Sequence, residues 1–358
     1  MIQNVRPIDP RRGILPPHIL TAIARRGTPK QRSNSLRTLT SDQTLRALRS
    51  AAQVKAATSR KRRYRVTSPE VCPRIIHDAA NTESMGIHIA RTEGAPPTQD
   101  PAVEEAYIGL GVADHLFWEA YDRDSIDDNG MLMEATVHFG LGYTDAFWNG
   151  QRMVFGDGDG ELFNRFTVAL EAIGHEMTHG VIENEGGLDY FGQPGALNES
   201  VCDVFGSLIK QRAYNQPAHE ADWLIGAGLF TDTVNGAAIR SMAAPGTAYD
   251  DFVVGKDPQP AHMDHYVTTF SDNGGVHINS GIPNRAFYLL ARELGGHAWE
   301  RAGRIWYETL RDPERPSSIM FRPFAVLTLE VADRLFGSSS DECHAVRAAW
   351  NEVGIAIG

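Results

Sequence analysis

The chain has 358 residues, 42% hydrophobic and 22% charged, with a formal net charge of −11. That length suits two domains, or one domain with an appended segment, and the composition excludes a wholly disordered or collagen-like chain. No run approaches the roughly 18 consecutive apolar residues of a membrane helix, and Cys72, Cys202 and Cys343 are too few and too scattered for a disulfide framework or a CxxC metal site.

At the N-terminus Arg6, Asp9, Arg11 and Arg12 surround Pro7 and Pro10, leaving no room for the apolar core of a secretory leader. The expected location is therefore cytoplasmic, or outside the cell by a leaderless route. Residues 1–65 carry 16 Lys and Arg against two acids, Asp9 and Asp42, so this arm holds +14 and the remaining 293 residues −25. A basic arm can neutralise phosphates, but here a tethered acidic body competes for it at high effective concentration. The preferred reading is an intramolecular pro-segment, with no nucleic acid and no membrane as partner. Within the arm, residues 14–20 (ILPPHIL) form an apolar island whose prolines set an extended entry into a helix bearing Ile19, Leu20 and Ile23. A second amphipathic helix is expected over 41–55, with Leu45, Leu48 and Val54 as its apolar residues. The Arg-rich run 59–65 follows as an exposed linker and nicking site.

The body begins near Cys72. A helix is expected over 103–121, alternation over 133–139 predicts a strand, and 146–148 with 153–155 bracket Asn149-Gly150 as a hairpin. Residues 156–160 (GDGDG) match neither a phosphate loop nor an EF-hand and are read as a turn. From there the period is helical, with helices expected over 161–183, 198–213, 283–294, 299–310, 318–336 and 341–353.

The chemistry lies at His175-Glu176-Met177-Thr178-His179. Histidines at i and i+4 rise about 6 Å on one helix face and can close on a single ion, with Glu176 beside them. Two neutral imidazoles leave zinc short of charge and of ligands, so a distant carboxylate is wanted. Glu199, read as opening a second helix, supplies it, and Asp203 one turn on can accept the other N–H of a ligating ring. The glycines at 186–187 and 192–195 provide the bend between the two helices. Read alone, Glu199 is an ordinary first-turn acid; joined to the histidine pair it becomes the third ligand of a catalytic zinc site.

The run from His175 to Asp203 resembles the thermolysin family of zinc metalloproteases. The match extends to Ala146-Phe147-Trp148-Asn149-Gly150, to residues 156–160, to Arg240-Ser241-Met242 and to residues 272–281 (DNGGVHINSG), covering roughly residues 72–358. The arm with Pro16-Pro17 is similar to the protealysin branch, whose short pro-segment fills the cleft until processed. The resemblance implies an α+β, two-lobed fold: pro-segment and linker over 1–60, a strand-rich lobe over 61–181 ending in the HExxH helix, and a helical lobe over 182–358. It also implies a monomeric zinc endopeptidase made as a zymogen. Glu176 would be the base, Tyr190 and His277 the groups at the developing oxyanion, and Asp272 and Asn198 the residues orienting His277 and His179, as Asp203 orients His175.

By the same resemblance Arg240, Asp145 and Ala146 would hold the substrate backbone. Phe163, Phe166, Ile225 and Ile239 would line a pocket for a bulky hydrophobic residue after the cut. Asp145 departs from the family, which usually has Asn there, adding a charge and losing a donor. Lys210, Leu224 and Ala227 stand where thermolysin has calcium-binding acids, leaving Glu171 and Asp222, so the double calcium site is expected to be absent. The rival from another class is a catalytically silent zinc-binding protein held shut by its arm; the presence of Glu176 favours the enzyme.

Overall fold

The computed structural model describes residues 12–56, 72–86 and 88–357, with the backbone alone for residues 12 and 43–56. The Arg-rich run 59–65 and the division at residue 60 lie outside the described residues.

The arm enters as a two-residue strand, β1 (Arg12–Gly13), and passes through an extended Pro16 into α1 (Pro17–Arg26), where proline at the first helical position loses no hydrogen bond. Ile14, Leu15, Ile19, Leu20 and Ile23 are all buried, so the apolar island docks on the body. Each such side chain contributes about 1.5–3 kcal/mol before ordering costs. The second helix, α2 (Pro29–Ala56), starts twelve residues before the expected 41. Its early turns face inward through polar residues that a search for apolar periodicity passes over. Ser35 Oγ donates to Leu20 O, and Thr38 Oγ1 accepts from Thr144 N–H at 3.2 Å.

In the body, β2 (Arg74–Asp78), β3 (His88–Thr92), β4 (Met133–Val137), β5 (Ala146–Trp148) and β6 (Met153–Phe155) form one mixed sheet with β1, in the order β1-β5-β6-β4-β2-β3. The β5–β6 hairpin forms as expected, and β5 would be the sheet edge but for β1, which pairs antiparallel with it, Gly13 opposite Phe147 and Arg12 opposite Trp148. α3 (Pro101–Tyr121), capped by Asp100, packs across the sheet.

The helix expected over 161–183 is α4 (Leu170–Asn184), which starts nine residues later. Asp159 Oδ1 gathers the N–H groups of Glu161, Leu162 and Phe163, Asn164 N–H bonds Leu229 O, and Phe166 N–H bonds Gly156 O, so these residues form a looped segment and one 3-10 turn. Phe163 and Phe166 therefore precede α4 and lie outside it, although the expected helix over 161–183 included them. α5 (Gly192–Ala213) starts earlier than expected, with Pro194 tolerated in its first turn. Glu199 lies two turns inside it rather than opening it, and the bend is confined to 185–191. Short pairs β7 (Leu224–Ile225) with β8 (Arg240–Ser241), and β9 (Asp250–Asp251) with β10 (Gly255–Lys256), precede the helices α6 (Asp272–Asn279), α7 (Gly281–Leu294), α8 (Ala302–Arg311), α9 (Phe321–Phe336) and α10 (Asp341–Glu352). The architecture is the expected α+β arrangement, a strand-containing part followed by a helical part, with one apolar cluster running through both. The division expected after residue 181 falls in the last turn of α4. Among the described residues no helix is long and apolar enough to cross a membrane.

Candidate active site

Two glycines let α4 and α5 approach backbone to backbone. A Cβ on Gly206 would lie 2.5 Å from Glu171 O, and one on Gly174 would lie 3.1 Å from Gly206 Cα. That approach brings Glu199 of α5 under the histidines of α4. His175 and His179 stand edge to face with centroids 4.8 Å apart, and their Nε2 atoms lie 3.3 and 3.6 Å from the Glu199 carboxylate oxygens. All three side chains are fully buried.

These separations are too long for good hydrogen bonds. They match donor atoms that each sit about 2.0–2.1 Å from a shared tetrahedral ion, which places the donors about 3.4 Å from one another. Among the described residues His175 Nε2 and Glu199 Oε2 have no hydrogen-bond partner, a costly state for buried polar atoms unless a cation stands between them. Two imidazoles and a carboxylate are zinc's donor set, so the residues fit that metal.

The far ring nitrogens are held in place. His175 Nδ1 meets Asp203 Oδ1 and His179 Nδ1 meets Asn198 Oδ1, each at 2.9 Å. Cys202 Sγ also lies 3.1 Å from His179 Nδ1, the nitrogen facing away from Glu199, so the thiol stands behind the ring. Burial opposes every charge here and is outweighed. His277, His179 and His175 hold the Glu199 carboxyl well below its usual range, Arg240 and His175 bring Asp203 to about 2, and Asp203 with Glu199 raises His175 to about 9.

Glu176 is fully buried beside the pair, its Oε2 accepting Trp148 N–H at 2.7 Å. Tyr190 donates its hydroxyl to Glu199 Oε1. His277 is carried by α6, whose start is a left-handed turn through Asn273, Gly274 and Gly275 that folds Asp272 back onto it. Asp272 Oδ1 lies 2.6 Å from His277 Nδ1, and His277 Nε2 meets Gly13 O at 2.9 Å. With an acceptor at each nitrogen the ring donates twice. Burial alone would lower its pKa, but Asp272 and Glu199 raise it to about 9, so it is an imidazolium at neutral pH.

The arm fills the space these groups face. Ile14 N–H bonds Ala146 O at 3.2 Å, Leu15 N–H bonds Asp145 Oδ1 at 3.0 Å, and Arg240 Nη1 donates to Ile14 O at 2.7 Å. The remaining guanidinium N–H groups of Arg240 grip both oxygens of Asp203 at 2.8 and 2.7 Å. Asp145 thus serves as an acceptor, as an Asn oxygen would. Phe163 and Phe166 are stacked 6.0 Å apart, Ile225 pairs with Arg240 across β7–β8, and Ile239 N–H bonds Ile225 O; all four are buried in the same apolar cluster as Ile14. Lys210 Nζ bridges the remnant acids, 2.9 Å from Asp222 and 3.5 Å from the buried Glu171.

Three partners escaped sequence reading. Asn284 donates to Asp203 Oδ2 at 2.8 Å, Gln259 donates to His277 O at 2.8 Å, and Trp148 acts through its backbone N–H. The first two come from remote segments with no distinctive spacing, and a main-chain donor leaves no mark in residue type.

Comparison with known proteins agrees with this geometry. The sequence model of the thermolysin metallopeptidase catalytic domain matches residues 33–183, and that of the family's alpha-helical domain matches residues 186–355. An extracellular metalloprotease of Pectobacterium carotovorum is 48% identical over 96% of each chain, and protease PrtS of a Photorhabdus strain is 44% identical over 97% of this chain and 92% of its own. A thermolysin of Alicyclobacillus acidocaldarius is 37% identical over 72% of this chain and 46% of its own. The solved precursor of protealysin, a metalloproteinase from Serratia proteamaculans, superposes with a TM-score of 0.87 at 48% identity, covering 96% of this chain and all of that one.

Proposed function

The chain belongs to the thermolysin family of zinc metalloendopeptidases, and on that premise we propose that it is made as a zymogen that cuts peptide bonds before a bulky hydrophobic residue. Residues 1–60 are the pro-segment and linker, 61–181 and 182–358 the two lobes. His175, His179 and Glu199 would hold zinc, which supplies Lewis acidity to the site when bound. The observation that carries this reading is the 3.3 and 3.6 Å spacing of their buried donor atoms.

The protein's own groups do the rest. Glu176, buried and fixed by Trp148 N–H, takes a proton from the attacking water and delivers it to the leaving amine. The His277 imidazolium and the Tyr190 hydroxyl donate to the oxygen that gains charge as the carbonyl carbon becomes tetrahedral. Asp272 keeps His277 charged and aimed, while Asp203 and Asn198 fix the ligand rings. Ala146 O, the Asp145 carboxylate and Arg240 would hold the substrate strand as they hold the arm, and the cluster around Phe163, Phe166, Ile225 and Ile239 would receive the side chain after the cut. The Lys210 ammonium takes the place of a calcium ion between Glu171 and Asp222.

The deciding measurement compares the chain with its Glu176→Gln variant. Both should hold about one zinc per chain, and the variant should digest an unfolded protein at least 10³-fold more slowly. A well-folded chain that retains no zinc would overturn the reading. Retained zinc without digestion after the arm is removed would favour the silent binding protein. A random peptide library should give products whose new N-terminal residue is Leu, Ile or Phe; a flat distribution would sink the hydrophobic preference.

A further inference from the structure

The arm threads the cleft in one fixed register. Gly13 O accepts from His277 Nε2, and one residue on Ile14 O accepts from Arg240 Nη1, while the N–H groups of Ile14 and Leu15 go to Ala146 O and Asp145 Oδ1. Successive carbonyls of the arm thus address the donor assigned above to the developing oxyanion and the arginine assigned to the residue after the cut. The bond between them, Gly13–Ile14, stands where a substrate's reacting bond would stand, with the Ile14 side chain wholly buried on its far side. Trp148, opposite Arg12 in the β1–β5 register, gives its N–H to Glu176, so the base lies alongside the same stretch. Pro16 holds the chain extended beyond Leu15, so the register is preorganised.

Resting on the protease reading above, we propose that Gly13–Ile14 is a substrate of its own cleft, cut within the same molecule once zinc is bound. The water oxygen bonds to the Gly13 carbonyl carbon, the C–N bond breaks, and both of the water's protons pass in turn through Glu176 to the Ile14 nitrogen, which leaves as an ammonium group. The products are a peptide of residues 1–13 ending in the Gly13 carboxylate and a chain beginning with the Ile14 amine. Nothing is oxidised or reduced. The cut severs β1 and the His277 contact from the rest of the arm, leaving the arm held from one side only. The plug is thereby timed by the site that it blocks.

The test uses the full-length chain purified free of metal, given one equivalent of zinc and followed by intact-mass spectrometry over a tenfold range of protein concentration. Loss of a 13-residue N-terminal peptide, first order and independent of concentration, is expected, with no such loss in Glu176→Gln. Gly13→Ala tests the register, because its Cβ would stand 2.7 Å from Asp145 Oδ2 and 2.9 Å from Ala146 O. It should slow this cut at least tenfold while digestion of an unfolded protein persists. In the Glu176→Gln background, free of turnover, Gly13→Ala should also speed amide hydrogen exchange at Ile14 and Leu15 at least tenfold. A zinc-loaded chain that digests an unfolded protein yet keeps Gly13–Ile14 intact overturns the proposal and leaves the protease reading standing. So does a rate that rises with concentration, the same fragment from Glu176→Gln, or a Gly13→Ala chain unchanged in both readouts. A chain that takes up zinc and cuts nothing overturns both.

Discussion

The site is built from side chains whose charges oppose their burial, and each is kept charged by identifiable neighbours. Asp272 does this for His277, and Arg240 for Asp203. Tyr190 differs: its hydroxyl donates to Glu199. Its proposed value lies in the transition state, where the accepting oxygen becomes an anion. Tyr190→Phe in the arm-free enzyme should therefore lower kcat about 10²–10³-fold with little change in KM. A rise in KM at constant kcat would reassign the phenol to ground-state binding. The grouping of His175, Glu176 and His179 was legible in the sequence because a helix turns i and i+4 to one face, a local rule needing no tertiary information, whereas Glu199 reaches them from a second helix. Asn284 and Gln259 were not, since only the fold brings them to Asp203 and His277.

At the scale of elements, errors arose where polar groups, not apolar periodicity, decided the structure. Asp159 diverts residues 161–163 from helix by accepting their N–H groups, and Ser35 and Thr38 bury a polar stripe of α2 that a hydrophobic pattern omits. The docking of α1 contains a titratable element of the same kind. His18 is half-buried, its Nε2 bonded to Tyr249 Oη at 2.8 Å and its Nδ1 without a partner among the described residues, and it faces the cations Arg240 and His277 as well as Asp272. Burial, aided by the two cations against Asp272, lowers its pKa from 6.5 to about 4. The docked arm thus binds fewer protons than the free one. Docking is at full strength above pH 6.5 and weakens as pH falls from there through 4, by roughly tenfold per pH unit inside that window. Amide exchange of α1 in the Glu176→Gln zymogen, measured at pH 7 and pH 4.5, should report this loosening, and His18→Gln should remove most of the difference. Equal loosening in the His18 variant would assign the effect to other groups.

For the whole molecule, the two-part α+β plan followed from the switch of period after residue 160, and the docked arm from its apolar island. Among the described residues the ion pair between arm and body, Lys30 with Glu161, is largely solvent-exposed and contributes little, while apolar burial and backbone pairing hold residues 13–23 against the body. Lys210 bears on global stability, because it neutralises the buried Glu171 from within the chain. The zinc-loaded protein should keep its melting temperature within about 2 °C in a calcium chelator too weak to strip zinc, a change under roughly 1 kcal/mol. Lys210→Met should cost about 2 kcal/mol by leaving the buried Glu171 with the Ala227 N–H but without its cation. A large chelator-induced fall would count against the internal cation.

On the proposed maturation β1 would leave, and β5 would become a bare ribbon, three residues long, whose main-chain groups ask of a visitor only that it lie straight. Grip through main-chain atoms is indifferent to most side chains but intolerant of coiled or knotted local shape. Globular neighbours in their native state would therefore pass unharmed, while frayed, heat-damaged or newly made polypeptides would be taken first.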